Sequence, residues 1–161
     1  IEQLKKLEFL VKKRQIMAER ITKGLKGLQG IRLPRILDEN THAYYIYPII
    51  LDEKSIKPKR EQIVRALEAE GIDGLINGFI NLHLYPLYQK KIAYGSKGFP
   101  WSSDICEREV DYSKGICPIA EKLHEKTFIG YEICLHDLEK EDCDLIVEAF
   151  HKVWRQIDYL N

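Results

Sequence analysis

The stretch AYYIYPIIL, residues 43–51, predicts a β-strand. β-Branched and aromatic side chains of this kind pack well on a pleated, half-buried surface. Pro48 has no N–H to donate to a ladder, so we expect this strand to lie at a sheet edge or to end its pairing there. The stretch therefore indicates that the chain builds a sheet as well as helices.

Two amphipathic helices are predicted near the ends of the chain. At the N-terminus, apolar residues recur at steps of three, four and seven: Leu4, Leu7, Val11, Ala18, Ile21, Leu25 and Leu28. This spacing predicts one long helix over residues 1–29, stopped by Gly30 in a left-handed cap. A last helix is predicted from Glu139. Its expected inner face consists of Cys143, Ile146, Val147, Phe150, Val153, Trp154 and Ile157.

The remaining elements complete an α+β fold. Pro58 is the expected first residue of a helix that stops at Gly71, with an inner face made of Ile63, Val64 and Leu67. Residues 73–80 and 127–136 predict a second and a third strand, and residues 118–126 predict a short helix. About three mostly antiparallel strands with helices packed on one face make a small α+β layer.

Composition favours an ordinary soluble domain. The chain has 161 residues, 45% of them hydrophobic, which is enough to build one core. Its net charge is zero, whereas binding to a phosphate backbone usually needs a basic excess. No apolar run approaches the roughly 20 residues that span a bilayer, and we expect no signal peptide. We expect no nucleic acid, no membrane and a cytoplasmic location.

The cysteines do not predict a metal site. Cys106, Cys117, Cys134 and Cys143 form no CxxC pair, and the last two lie in apolar patterns. Buried, reduced thiols are the favoured interpretation. A zinc site completed by His124 or His136 has no supporting spacing.

The beginning of the chain is unusual. It opens at Ile1, without methionine, inside a helical pattern. Natural domains seldom begin within an amphipathic helix. We therefore expect the sequence to be part of a longer polypeptide.

A long irregular stretch, residues 81–115, is the candidate functional region. Glycines, prolines and serines break its periodicity, while several aromatic rings argue against disorder. His83 opens this stretch, and its imidazole could hydrogen-bond a sugar hydroxyl or a phosphate. Tyr85 and Tyr88 could stack on a ring or donate a hydroxyl. The alternative is a structural histidine flanked by packing tyrosines.

Several motifs resemble, in the same order, the C-terminal portion of the DegT/DnrJ/EryC1/StrS family of pyridoxal-phosphate-dependent aminotransferases. Leu28-Gln29-Gly30-Ile31, with Pro34 beyond, is similar to the family pattern L-x-G-I-x-x-P. Residues 82–88 are similar to P-L-H-x-x-P-x-Y, and residues 117–121 to C/F-P-x-A-E. Asn81 stands where the family usually has proline.

The resemblance implies that residues 1–161 form the small C-terminal domain of a fold-type I, homodimeric aminotransferase, with residues 1–29 as the interdomain helix. The family's Schiff-base lysine and its other pyridoxal phosphate ligands lie in a larger domain upstream of Ile1. This chain is therefore expected to hold no catalytic, cofactor-binding or metal-binding residue. The implied reaction moves an amino group from glutamate or glutamine to a keto sugar, usually nucleotide-linked, or to a keto-cyclitol. By the same resemblance, His83, Tyr85 and Tyr88 contact the substrate.

Two alternatives belong to other functional classes. The first is a free-standing regulatory or protein-binding module of ferredoxin-like shape, without catalysis. The second is a small metal-binding protein built on the cysteines.

Overall fold

The N-terminal helix is only half buried in the computed structural model, which describes residues 1–104 and 106–160. A 3-10 turn, Gln3–Lys6, leads into α1, Leu7–Leu25. The second half of α1 buries Met17, Ala18, Ile21 and Leu25. Leu4 and Leu7, at the other end of the predicted stripe, are 69% and 52% exposed.

The predicted stop of this helix at Gly30 is wrong. Lys26 already leaves the helical region, with φ −59° and ψ 126°, and Gly27 follows at φ 96°. Gly30 serves the next turn instead, at φ 76°, and a Cβ there would lie 2.3 Å from Ile56 Cγ2. The helix therefore ends just before Gly27, which takes a left-handed conformation. Gly30 allows Ile56 to approach the main chain closely.

Within the part of the chain that the structure describes, the sheet has four antiparallel strands in the order β1-β2-β4-β3. They are β1 Ile31–Arg32, β2 Tyr47–Leu51, β3 Leu75–Ile76 and β4 Phe128–Tyr131. The α+β class and the antiparallel pairing are confirmed. The predicted number of strands was too low, because β1 is two residues long and carries no alternating pattern.

All three predicted strands were too long. Tyr44 has φ 49°, so β2 begins only after it. Gly74 and Gly78, at φ 80° and 83°, bound β3 on either side. β4 gives way to the 3-10 turn Ile133–Leu135.

Pro48 lies in an inner strand, so the expected place at the sheet edge is wrong, but the other expectation, that pairing ends at the proline, holds on one side. Toward β4, Pro48 lies opposite Gly130. Toward β1, only Ile50 and Leu51 are paired, so this ladder does not reach the proline. The missing N–H is tolerated because β2 is unpaired on the β1 side at that position.

The helices cover the core as their inner faces predict. In α2, Arg60–Ala69, the predicted residues Ile63, Val64 and Leu67 are buried. This helix begins two residues after Pro58 and is followed by Gly71 at φ 94°. In α5, Lys140–Arg155, the buried residues are Cys143, Ile146, Ala149, Phe150 and Val153.

α5 packs against α1 and is tied to it by polar contacts. Arg20 donates two hydrogen bonds to the Asp144 carboxylate, at 2.7 and 2.6 Å. His151 Nε2 lies 2.9 Å from the carbonyl oxygen of Gly24, to which it donates. Within the described residues, no helix is long and apolar enough to cross a membrane.

The chain divides into two compact units. Residues 1–78, with the chain from Lys126 onward, hold the sheet and the helices α1, α2 and α5. Residues 79–125 form the other unit.

Candidate functional site

The predicted functional stretch falls within the unit formed by residues 79–125. Two short helical segments begin this unit, the 3-10 turn Leu82–Leu84 and α3, Pro86–Gln89. Near its end lies α4, Pro118–Lys122. The short helix predicted over residues 118–126 is thus present, and its last part continues in the wider turn Leu123–Thr127.

His83 is the middle residue of the 3-10 turn. The Asn81 carbonyl accepts the N–H of Leu84 at 3.0 Å, and the Leu82 carbonyl accepts that of Tyr85 at 3.0 Å. Pro86 then occupies the first turn of α3, where a missing N–H costs nothing. These turns fix the point at which the imidazole of His83 leaves the main chain.

Glu121 of α4 is the partner of His83. His83 Nε2 lies 2.9 Å from Glu121 Oε1, and the two side chains are 11% and 8% exposed. The same oxygen accepts the backbone N–H of Gly115 at 2.8 Å and that of Cys117 at 3.3 Å. These bonds, foremost the one from Gly115, hold the pKa of Glu121 below its ordinary value against the opposing effect of burial. The site therefore contains an ionised carboxylate bound to an imidazole.

The side chain of Gln89 holds the main chain of His83 in place. Its Nε2 donates to the carbonyl oxygen of His83 at 2.7 Å and to that of Tyr112 at 2.5 Å. One amide group thus joins α3 both to the turn that carries the histidine and to the later part of the unit. The main chain and the side chain of His83 are both held.

The two predicted tyrosines have different surroundings. Tyr85 lies between the 3-10 turn and α3 and is 38% exposed. Tyr88 packs at 5.1 Å, centroid to centroid, from Tyr112 and at 6.2 Å, edge-on, from Trp101. Trp101 Nε1 also donates to the Tyr112 hydroxyl at 3.1 Å. Tyr88 therefore belongs to a small aromatic cluster, whereas Tyr85 is accessible.

A groove of about 550 Å³ runs along this aromatic cluster. Its rings come from Tyr88 and Tyr112, and its polar rim combines both signs of charge. The remaining lining residues are Gln89, Lys91, Glu109, Val110, Asp111 and Ser113. Aromatic faces beside a few polar groups suit a ligand with a ring and hydroxyl groups.

The cysteines are less buried than predicted. Only Cys143 is buried. Cys106 and Cys134 are partly exposed, and Cys117 is exposed. The interpretation as buried thiols is therefore wrong for three of them, because two lie in the irregular unit and Cys134 follows the last strand. Within residues 1–104 and 106–160, no three His, Cys, Asp or Glu side chains are grouped so as to hold a metal ion.

None of the lysines in residues 1–104 and 106–160 has the surroundings of a pyridoxal phosphate ligand. A lysine that forms a Schiff base is usually shielded from water in an apolar pocket. Across the described chain, every lysine is exposed except Lys13 and Lys91, which are half-buried. Lys13 is engaged with Asp137 and Glu139, and Lys91 faces Glu109 at 3.5 Å. These residues do not fit the cofactor.

The roles of Glu121 and Gln89 were not foreseen. Glu121 was noted only as the end of a motif, and 38 residues separate it from His83. The available signal was that a glutamate four residues after Cys117 can turn back to the N–H groups before its own short helix. Gln89 gave no signal, since its partners are main-chain carbonyls.

Comparison with known proteins gives one family. The model of the DegT/DnrJ/EryC1/StrS aminotransferase family matches residues 1–149. The spore coat polysaccharide biosynthesis protein SpsC of Bacillus subtilis is 32% identical over 108 residues, which cover 67% of this chain and 28% of that protein. The dTDP-3-amino-3,4,6-trideoxy-alpha-D-glucose transaminase of Micromonospora megalomicea is 26% identical over 157 residues, covering 93% of this chain and 34% of that protein.

A solved structure shares the fold. DesV of S. venezuelae superposes with a TM-score of 0.70 at 20% identity, over 96% of this chain and 34% of that one. At this identity the likeness shows the fold alone. The chain thus spans about a third or less of each of these proteins.

Proposed function

Because this chain belongs to the DegT/DnrJ/EryC1/StrS aminotransferase family, we propose that it forms the C-terminal, substrate-contacting part of a pyridoxal-phosphate-dependent transaminase. The whole enzyme transfers an amino group from glutamate or glutamine to a keto sugar, nucleotide-linked, or to a keto-cyclitol. The family match over residues 1–149 is the observation that carries this proposal. It favours the transaminase over a free-standing binding module.

The names of the relatives support a sugar substrate. One relative is named as a transaminase of a dTDP-linked amino sugar, and another as a protein of polysaccharide biosynthesis. A sugar offers hydroxyl groups, and a nucleotide adds a base and phosphates. A fixed imidazole and an aromatic groove, both within the unit of residues 79–125, are suited to such a molecule.

His83 is proposed as the principal contact of this chain with the sugar substrate. Its Nε2 is taken by Glu121, so only Nδ1 is left to bind a ligand. Nδ1 makes no hydrogen bond to any residue in the described part of the chain. Because the ring is fixed, Nδ1 can discriminate between sugars that differ in the position of a hydroxyl group. A sugar whose hydroxyl is misplaced leaves both Nδ1 and that hydroxyl without a hydrogen bond.

Tyr85 and Tyr88 are proposed as weaker contacts. The accessible ring of Tyr85 can reach a ligand directly. Tyr88 is held by Trp101 and Tyr112, so it contributes a ring face along the groove. Their loss should therefore affect substrate binding less than the loss of His83.

The cofactor is not assigned to this chain. Its lysines do not fit the Schiff base of pyridoxal phosphate, so no chemical step is assigned to them. We propose that another part of the enzyme holds the cofactor. The homodimer and the cytoplasmic location implied by the resemblance remain part of this proposal.

The proposal is tested by kinetics of the native polypeptide that carries this chain. With pyridoxal phosphate, glutamate and a dTDP-linked keto sugar, His83→Ala should raise KM for the sugar on the order of tenfold, as expected for one lost hydrogen bond. Glu125→Gln is the control, since it removes the charge of another glutamate of the same unit, one that pairs with Lys114. An unchanged KM in His83→Ala would contradict the proposed contact.

A further inference from the structure

We propose that Glu121 is a positioning residue, which orients the imidazole of His83 so that Nδ1 faces the sugar substrate as a hydrogen-bond acceptor. This inference rests on the proposed function, because it assigns Glu121 a task only if His83 contacts the substrate. Glu121 itself is not assigned a contact with substrate or cofactor.

The carboxylate of Glu121 takes part in four hydrogen bonds. Glu121 Oε1 lies 2.9 Å from His83 Nε2 and accepts the N–H groups of Gly115 at 2.8 Å and Cys117 at 3.3 Å. Oε2 accepts the Gly115 N–H as well, at 3.0 Å. A carboxylate held by two backbone donors is fixed in orientation, because it cannot turn without breaking both.

The tautomer of the neutral imidazole follows from its partner. An ionised carboxylate can only accept hydrogen bonds. His83 Nε2 must therefore carry the proton that is shared with Glu121. In the neutral ring the other nitrogen, Nδ1, is then an acceptor, which suits a sugar hydroxyl as the donor.

Burial strengthens the hydrogen bond between His83 and Glu121. With only 11% of the His83 side chain and 8% of the Glu121 side chain exposed, water competes poorly for the shared proton. A hydrogen bond to a charged acceptor is roughly twice as strong as one to a neutral acceptor. The ring is thus held by an interaction that a neutral amide would only partly replace.

The pair also joins two parts of the unit that lie far apart in sequence. His83 lies within the 3-10 turn that begins the unit, whereas Glu121 belongs to α4, 38 residues later. Gln89 holds the main chain of His83 from a different direction. Glu121 is therefore the group that sets the direction of the side chain, while Gln89 sets that of the backbone.

The first experiment needs no substrate. In the histidine-¹⁵N-labelled 161-residue chain, the Nε2 proton of His83 should be visible by NMR and exchange slowly with water. Glu121→Gln keeps the shape but removes the charge, and exchange of this proton should become on the order of tenfold faster. Glu125→Gln, the matched control, should leave it unchanged. Equal exchange in wild type and Glu121→Gln would overturn the proposal.

The second experiment is a double-mutant cycle in the native polypeptide. Glu121→Gln should raise KM for the sugar substrate several-fold when His83 is present. In the His83→Ala background the same change should alter KM by less than about twofold, because Glu121 acts through the imidazole. Equal, additive effects in both backgrounds would overturn the proposal, since they would show that Glu121 acts independently of His83.

The two claims can fail separately. If His83→Ala leaves KM unchanged, the proposed substrate contact fails, and the positioning role for substrate fails with it. If His83→Ala raises KM but Glu121→Gln changes neither proton exchange nor KM, the proposed function stands and only the positioning role is overturned.

Discussion

Gly24 of α1 lies directly against Val147 of α5, so closely that a Cβ on the glycine would come within 2.5 Å of Val147 Cγ2. Only a residue without a side chain allows the two helices to approach this far. The same approach brings the Gly24 carbonyl within reach of His151. The contact between the N-terminal and the last helix thus depends on one glycine.

Gly24→Ala should destabilise the chain. Alanine gains about 1 kcal/mol in helix propensity, but overpacking typically costs about 1–3 kcal/mol, and the stiff valine cannot turn its methyl groups away freely. We expect a net loss of up to about 2 kcal/mol in the free energy of unfolding, measured in urea. Adding Val147→Ala should recover part of it, since the space is then free. Gly24→Ala as stable as wild type would refute the close packing.

Asn81→Pro should stabilise the chain. Asn81 is 7% exposed, and its Nδ2 has no hydrogen-bond partner among the described residues. Its φ of −71° is one that proline adopts without strain. Replacing an unpaired buried amide and restricting the unfolded chain should together raise the free energy of unfolding by about 1 kcal/mol or more. A fall in the urea midpoint would show that the amide has a partner after all.

Alkaline pH should weaken the fold. Burial raises the pKa of Tyr47 and of Tyr131 to about 12 and the pKa of the Cys143 thiol to about 11. In the unfolded chain these groups ionise near their ordinary pKa values of 10.0 and 9.0. Their contribution to stability is therefore complete below about pH 9 and is lost between about pH 9 and 12.

The urea midpoint should accordingly fall steadily from pH 9 to 11. Tyr47→Phe is the informative variant. It costs about 1 kcal/mol at neutral pH through the lost bond to Thr22, but its midpoint should fall less steeply above pH 10. A midpoint that is constant up to pH 11 would contradict this explanation.

The exposed end of α1 should cause self-association. Leu4, Leu7 and Phe9, in α1 and its leading turn, are 69%, 52% and 69% exposed. Several large apolar side chains exposed on one short segment favour association in water. Light scattering should show a mass that rises with concentration, and Leu7→Glu with Phe9→Glu should suppress the rise. Leu145→Glu, at a solitary exposed leucine of α5, is the control. A monodisperse monomer at high concentration would exclude the effect.

The helices were predictable because apolar residues recur on their inner faces at helical spacing, and these residues pack into the core. Four of the seven residues predicted for the inner face of the last helix are buried, namely Cys143, Ile146, Phe150 and Val153, together with Ala149, which was not predicted. In α2 all three predicted residues, Ile63, Val64 and Leu67, are buried. Only half of the N-terminal stripe is buried, since periodicity predicts which face is apolar but not how far along the helix a neighbour extends.

Strand limits and the site partners were not predictable in the same way. Tyr44 takes a left-handed conformation that its strong strand propensity opposes. β1 is too short to show a pattern. His83 was found because of its unusual neighbours in sequence, but Glu121 is close to it only through the fold of the loop unit.

The proposed transaminase function is tested most directly by following the transferred nitrogen atom. The native polypeptide that carries this chain, with pyridoxal phosphate, is incubated with ¹⁵N-labelled glutamate or glutamine and a dTDP-linked keto sugar or a keto-cyclitol. ¹⁵N should then appear in a new amino group on the sugar or cyclitol. A polypeptide that binds the cofactor yet transfers ¹⁵N to none of these acceptors would contradict the proposed transaminase function.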